Sequence, residues 1–136
     1  MPGWETRVVP HSVCGMAQPI AGEEFFAADE KAVSIYRALA RSLMGLDGVE
    51  VVVSKSQVAF RARRGFAYAW APQRYVKSDV PVVVSIALGE QLRSSRFKEV
   101  VHPSPSTWMH HLELRLVKDV DPELIAWIKR AYEESR

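Results

Sequence analysis

The stretch "VEVVVSKSQVAFRARRGFAYAWA", Val49–Ala71, decides how this chain folds. Val49–Lys55 and Gln57–Arg63 are strand-forming runs separated by little more than Ser56, and Phe66–Ala71 is a third. Two turns can join the second run to the third. A two-residue turn at Arg64–Gly65 pairs Arg63 with Phe66 and Arg61 with Tyr68. Arginines and aromatics then share a face, as on a nucleic-acid stacking platform. A three-residue turn, Arg63–Arg64–Gly65, shifts the phase by one. Phe66, Tyr68 and Trp70 then join Val58, Phe60 and Ala62, while Arg61 falls beside Ala67 and Ala69. The first turn forces Arg64 to positive φ; the second asks that only of Gly65. The second is preferred. It makes the aromatics ordinary core and leaves the arginines along a small-residue face that a partner can approach.

Further strands lie downstream. "PVVVSIAL" (Pro81–Leu88) is apolar on both faces and reads as a central strand. "WMHHLELRLV" (Trp108–Val117) alternates and reads as half-buried. Helical spacing brackets the strands. Ala32, Val33, Tyr36, Leu39, Ala40, Leu43 and Met44 form one apolar stripe, with Asp29 to cap its start and Gly45 to end it in the left-handed conformation. At the other end Asp121 caps a helix, Pro122 fits its first position, and Leu124, Ile125, Ile128, Ala131 and Tyr132 form its stripe. The expected class is α+β in the order α-β-β-β-β-β-α. The sheet is then largely antiparallel and five-stranded, with helices covering one face. Residues 1–22 are rich in Pro and Gly without periodicity and read as an extended or flexible arm, so removing Met1–Gln18 is expected to leave a folded domain over residues 23–136.

Composition narrows the function classes. The chain has 136 residues, enough for one domain with its own core. Its single cysteine, Cys14, excludes an internal disulfide and a cysteine-based zinc site, and suits a reducing cytoplasm. No long apolar stretch at the N-terminus suggests a signal peptide, and the longest apolar run, Val80–Leu88, is too short to span a bilayer. The net charge of +2 is unevenly spread. Between Val51 and Ser78 stand Lys55, Arg61, Arg63, Arg64, Arg74 and Lys77, with no acidic residue. Such asymmetry points to an anionic partner, although most charge runs are only solvated surface.

The sequence lacks G-x-G-x-x-G, Walker A, H-E-x-x-H and G-x-S-x-G motifs. Ser95-Arg96-Phe97-Lys98 matches S-x-x-K without its companion motifs and reads as a charged helical turn or loop. The stretch "HPSPSTWMHHLELR" (His102–Arg115) holds three of the four histidines. It reads as a proline-stiffened loop feeding a strand. Alternation then sends Trp108 and His110 into the core and turns His111, Glu113 and Arg115 outward. A buried His110 is expected to be neutral, and an exposed His111 to tolerate substitution. Adjacent histidines on opposite faces cannot hold one metal. His111 and Glu113 can form an acid–base pair, or a two-histidine, one-carboxylate set with His102. A cross-strand ion-pair ladder with Arg61 and Arg115 is the plainer reading and is favoured. No metal or cofactor is expected.

Three stretches resemble a known family: "EEFFAADEKAVSIYRALARSL", "VVVSKSQVAFRARRGFAYAWAP" and "FKEVVHPSPSTWMHHLELRLVKDVDPELIAWIKRAYEES". It is the uncharacterised bacterial domain of unknown function 5655, distantly similar to YdhG-like domains. The W-x-H-H-x-E-L-R and S-K-x-x-x-x-F elements are the most specific. The resemblance implies a compact α+β domain of cytoplasmic proteins and no activity. Attachment of such domains to nuclease-like proteins adds some weight to nucleic acid as a partner. The expected function is therefore a binding module for an anionic small molecule, nucleic acid or other anionic partner. Lys55, Arg61, Arg63, Tyr68, His111, Glu113 and Arg115 are its candidate residues. The alternatives are an enzyme using His111 and Glu113 for acid–base chemistry, favoured if Lys55 joins them in one pocket, and a dimerising accessory domain.

Overall fold

The structure is a computed structural model that describes residues 7–9, 20–74 and 76–136. Strand β1 (Arg7–Val9) precedes helix α1 (Glu30–Leu43). Six strands follow: β2 (Glu50–Val53), β3 (Val58–Arg61), β4 (Gly65–Trp70), β5 (Val82–Leu88), β6 (Phe97–Ser104) and β7 (Thr107–Leu114). Helix α2 (Pro122–Glu134) follows. The strands form one sheet in the order β1-β2-β3-β4-β5-β7-β6, and every neighbouring pair is antiparallel. The α+β class and the antiparallel sheet hold; the count of five strands does not. The extra strands are both at the sheet edges. β6 is charged at Lys98 and Glu99 and carries Pro103, a residue that tolerates an edge because it has no N–H to give a second neighbour. His102, Pro103 and Ser104 thus belong to a strand rather than to a loop. Of the N-terminal arm, Arg7–Val9 pair with β2, and Ile20 and Ala21 pack against the core. Residues 1–6 and 10–19 lie outside the described residues.

Each helix starts where its cap chemistry dictates. Asp29 accepts from the Lys31 N–H, and Asp121 from the Leu124 N–H with Pro122 in the first turn. The end of α1 differs from expectation. Met44 caps it in ordinary helical geometry, and positive φ is reached only at Gly48, three residues beyond Gly45. The chain therefore runs on before it reverses into β2.

A cross-strand row, Phe60–Ala67–Ile86–His110, marks the face that meets the helices. All four residues are fully buried. Tyr36 of α1 stacks on Phe60, with 6.1 Å between ring centroids. Trp127 of α2 tilts against Phe97, which in turn touches His110. Tyr132 of α2 meets Phe66 edge to face. As expected, β5 is interior, and all its residues but Ala87 are buried. Trp108 does not enter this core. It is half-buried and stacks on His102, with ring centroids 3.7 Å apart.

The hairpin between β3 and β4 takes neither expected turn. Phe60 pairs with Ala67 and Ala59 with Tyr68, and a bulge at Phe60/Arg61 absorbs the odd residue. Gly65 is not among the positive-φ glycines. It is small for another reason: a Cβ there would collide with the Tyr68 hydroxyl, which lies over it. The bulge lets both Phe66 and Ala67 stay buried while Tyr68 and Trp70 turn to the opposite face. The aromatics at 68 and 70 are therefore not core, contrary to the sequence expectation.

Ser95 and Arg96 form a turn into β6 rather than a helical turn. Arg96 donates to both Asp121 oxygens, to Glu123 and to the Asp119 carbonyl, tying this turn to the start of α2. Among the described residues, no helix is long and apolar enough to cross a membrane.

Candidate functional site

The face opposite the helices carries its own cross-strand row: Val52–Ala59–Tyr68–Ser85–His111–Glu99. Trp70 lies two residues along β4 from Tyr68, and Met109 two along β7 from His111. Together with Ser56 and Gln57 from the β2–β3 turn, Tyr68, Trp70, Ser85, Met109 and His111 line a shallow cleft of about 440 Å³. That volume falls in the range of small-molecule sites, roughly 300–1,000 Å³.

Hydrogen bonds organise the floor. The Trp70 Nε1–H donates to Ser85 Oγ at 2.9 Å, and Ser85 Oγ lies 2.7 Å from His111 Nδ1. Indole nitrogen can only donate, so the serine oxygen accepts from it, and among the described residues the buried serine hydroxyl has no acceptor other than Nδ1 to take its own proton. His111 then carries its proton on Nε2. The Trp70 and His111 rings meet at 90°, with centroids 6.3 Å apart. Burial pushes the His111 pKa below the ordinary histidine value, against the pull of Glu99, its register partner on β6. The ring is therefore neutral near pH 7.

Its neighbour His110 occupies the other face. The Leu92 N–H donates to Nε2 at 2.9 Å, which leaves the ring proton on Nδ1, 3.3 Å from the Ile86 carbonyl. Burial again holds the pKa down. His110 is the neutral core histidine that alternation predicts. His111 is half-buried rather than exposed.

The structure gathers only two of the expected site residues, Tyr68 and His111, into the cleft. Lys55 is exposed on the turn that supplies Ser56 and Gln57. Arg61 and Arg63 are exposed at the far hairpin, and Arg63 contributes its backbone N–H to the Ser135 carbonyl. Glu113 faces Arg115 at 3.6 Å, and Arg115 also reaches Asp79 at 3.1 Å. Lys55 and Glu113 thus are not among the described residues that line this cleft with His111. The ion-pair ladder through Arg61 does not form either: Arg61 pairs in register with Glu50 and Gly65, strands away from Arg115. Arg74, part of the basic run, has a structural task, donating to the Lys55 and Phe25 carbonyls and covering the Phe25 ring. His102, His111 and Glu113 do not converge: no metal-holding group of three such side chains occurs among the described residues.

Sequence reasoning missed Trp70 and Ser85. Ser85 did leave a signal, as the one polar residue in "VVVSIAL": a hydroxyl in an interior strand needs a partner.

The family described as Domain of unknown function (DUF5655) matches residues 21–135. The chain belongs to this family. In this DUF5655 chain the match spans both helices, β2 to β7 and every residue lining the cleft. No curated protein and no solved structure matches the chain.

Proposed function

We propose that this protein is a binding module that receives an anionic ligand or partner on the face of the sheet away from its helices, in a cytoplasmic setting that suits its single cysteine. The observation that carries the reading is the cleft built around Trp70, Ser85 and His111. Its aromatic walls and fixed polar floor are what a ligand site needs. Tyr68 and Trp70 lie on the open face, the arrangement that favours a recognition surface over a plain core strand. Lys55 beside the cleft, with Arg61 and Arg63 at the far hairpin, supplies the positive charge.

A second reading, enzymatic, rests on the Ser85–His111 hydrogen bond. Ser85 is only 4% exposed and already accepts from Trp70, which suits a structural post better than a nucleophile.

The test is a thermal-shift screen of anionic compounds with the full chain, followed by titration of any hit at low and high salt. Ligands are expected to raise the melting temperature, with affinity falling as salt rises. For a nucleic acid the fall is steep, because phosphate contacts release counterions. Salt-insensitive binding, or no hit at low salt, removes the anionic reading.

A further inference from the structure

The cleft restricts which part of a ligand can enter it. Building on the binding reading above, we propose that the ligand is a planar heteroaromatic ring whose edge presents a neutral hydrogen-bond acceptor to His111 Nε2, with its anionic group outside the cleft toward Lys55. This is the chemistry of a nucleobase that carries a phosphate.

Ring geometry gives the first argument. Trp70 and His111 stand at right angles. A flat ring laid against the indole stands perpendicular to the imidazole plane, so the indole face offers a stacking surface while the imidazole N–H, which lies in its own ring plane, offers a hydrogen bond. Tyr68 and Met109 complete an apolar surround.

The proton inventory gives the second. Nδ1 is taken by the Ser85 hydroxyl, so Nε2 is the donor that remains. Among the described residues no buried polar side-chain atom lacks a partner, so Nε2, which has none from the protein, is open to solvent. A ligand atom that meets it must accept.

Charge gives the third. Among the described residues that line the cleft, none is a carboxylate, a lysine or an arginine. An anion taken inside would lose its hydration without a counter-charge. Glu99, opposite His111, and Glu113, two residues along β7, repel it from that side. The turn bearing Lys55 lies at the other edge, next to Ser56 and Gln57. The anionic group is therefore directed across the cleft from the carboxylates.

A free nucleotide and a base within a single strand share this chemistry. Calorimetric titration of the full chain with adenosine 5′-monophosphate, adenosine, inorganic phosphate and a tetra-adenylate strand separates them. The monophosphate is expected to bind about two- to fivefold more tightly than adenosine, as one partly solvated charge contact allows. Phosphate alone should not displace it. Lys55→Ala, an exposed substitution that leaves the core intact, should erase the difference between monophosphate and adenosine, and Trp70→Leu should weaken both. The tetra-adenylate binding more tightly than the monophosphate assigns the site to a strand; equal binding assigns it to the free nucleotide. Phosphate binding as tightly as the monophosphate, unaffected by Trp70→Leu, overturns the ring placement and leaves the anionic reading standing. Adenosine binding as tightly as the monophosphate overturns both the Lys55 placement and the anionic reading. Binding of none of the four probes overturns the inference, while a hit of other chemistry in the anion screen still upholds the broader reading.

Discussion

His110 and His111 are neighbours in sequence with opposite surroundings, and their substitution should separate cleanly. His110→Ala leaves a cavity and strips the Leu92 N–H of its acceptor, at an expected cost of about 2–4 kcal/mol. His111→Ala removes one hydrogen bond to Ser85 from a half-buried position, at about 1 kcal/mol. Denaturant unfolding of the two variants checks the order; a larger loss for His111→Ala would mean that the strand phase is wrong. The same rings set a pH dependence. Both pKa values are held below the ordinary 6.5, so below that pH the unfolded chain binds more protons than the folded one. Stability should be full above about pH 6.5 and fall as pH drops toward the depressed values. Proton titration of the two rings by NMR, alongside unfolding at pH 7.5 and 5.5, tests this; a melting temperature that rises on acidification in this window contradicts it. Alternation along β7 made the separate fates of these rings legible in the sequence. The partnership of His111 with Ser85 and Trp70 was not, because it depends on how three distant strands lie side by side.

Helices α1 and α2 were legible because their caps and stripes lie within one local segment. The β3–β4 hairpin was not, since the bulge at Phe60/Arg61 exchanges one phase for the other without a local mark, and Gly65 is small to make room for Tyr68 rather than to reach positive φ. β6 was hidden by Pro103 and by its charged residues, which suit an edge and blur any alternation. The start of α2 concentrates more than a cap. Asp121 both accepts from the Leu124 N–H and holds Arg96, whose guanidinium also reaches Glu123 and the Asp119 carbonyl. Asp121→Ala is expected to cost about 1–2 kcal/mol, and Asp121→Asn less, because the amide can still cap. The Leu124 N–H and then the Arg96 side chain hold the Asp121 carboxyl below its usual range. Its contribution is present above about pH 4 and is lost as pH falls through the lowered value. Urea midpoints of wild type and Asp121→Ala at pH 7 and pH 3 give the check: the gap between them should narrow at pH 3.

At the scale of the whole molecule the sheet has two edges and two faces. β1 covers the edge of β2, a run of "EVVV" that is otherwise free to pair. Removing residues 1–18 should leave the domain folded, since the core on both helices remains, with a melting temperature lowered by a few degrees. The truncated chain should also associate as its concentration rises, through the bared edge. Differential scanning calorimetry and size-exclusion chromatography at two concentrations test both expectations; loss of cooperative unfolding would show that the N-terminal residues belong to the core. The two faces divide the work more deeply. The row Phe60–Ala67–Ile86–His110 packs the interior, and the next residue along each of these strands, or the one before, builds the cleft row through Ala59, Tyr68, Ser85 and His111. The proposed recognition surface and the core that keeps the protein folded are thus written in alternate letters of the same strands. Such a surface can diversify one side chain at a time, each drawn from a different strand, while the residues beneath it stay as they are.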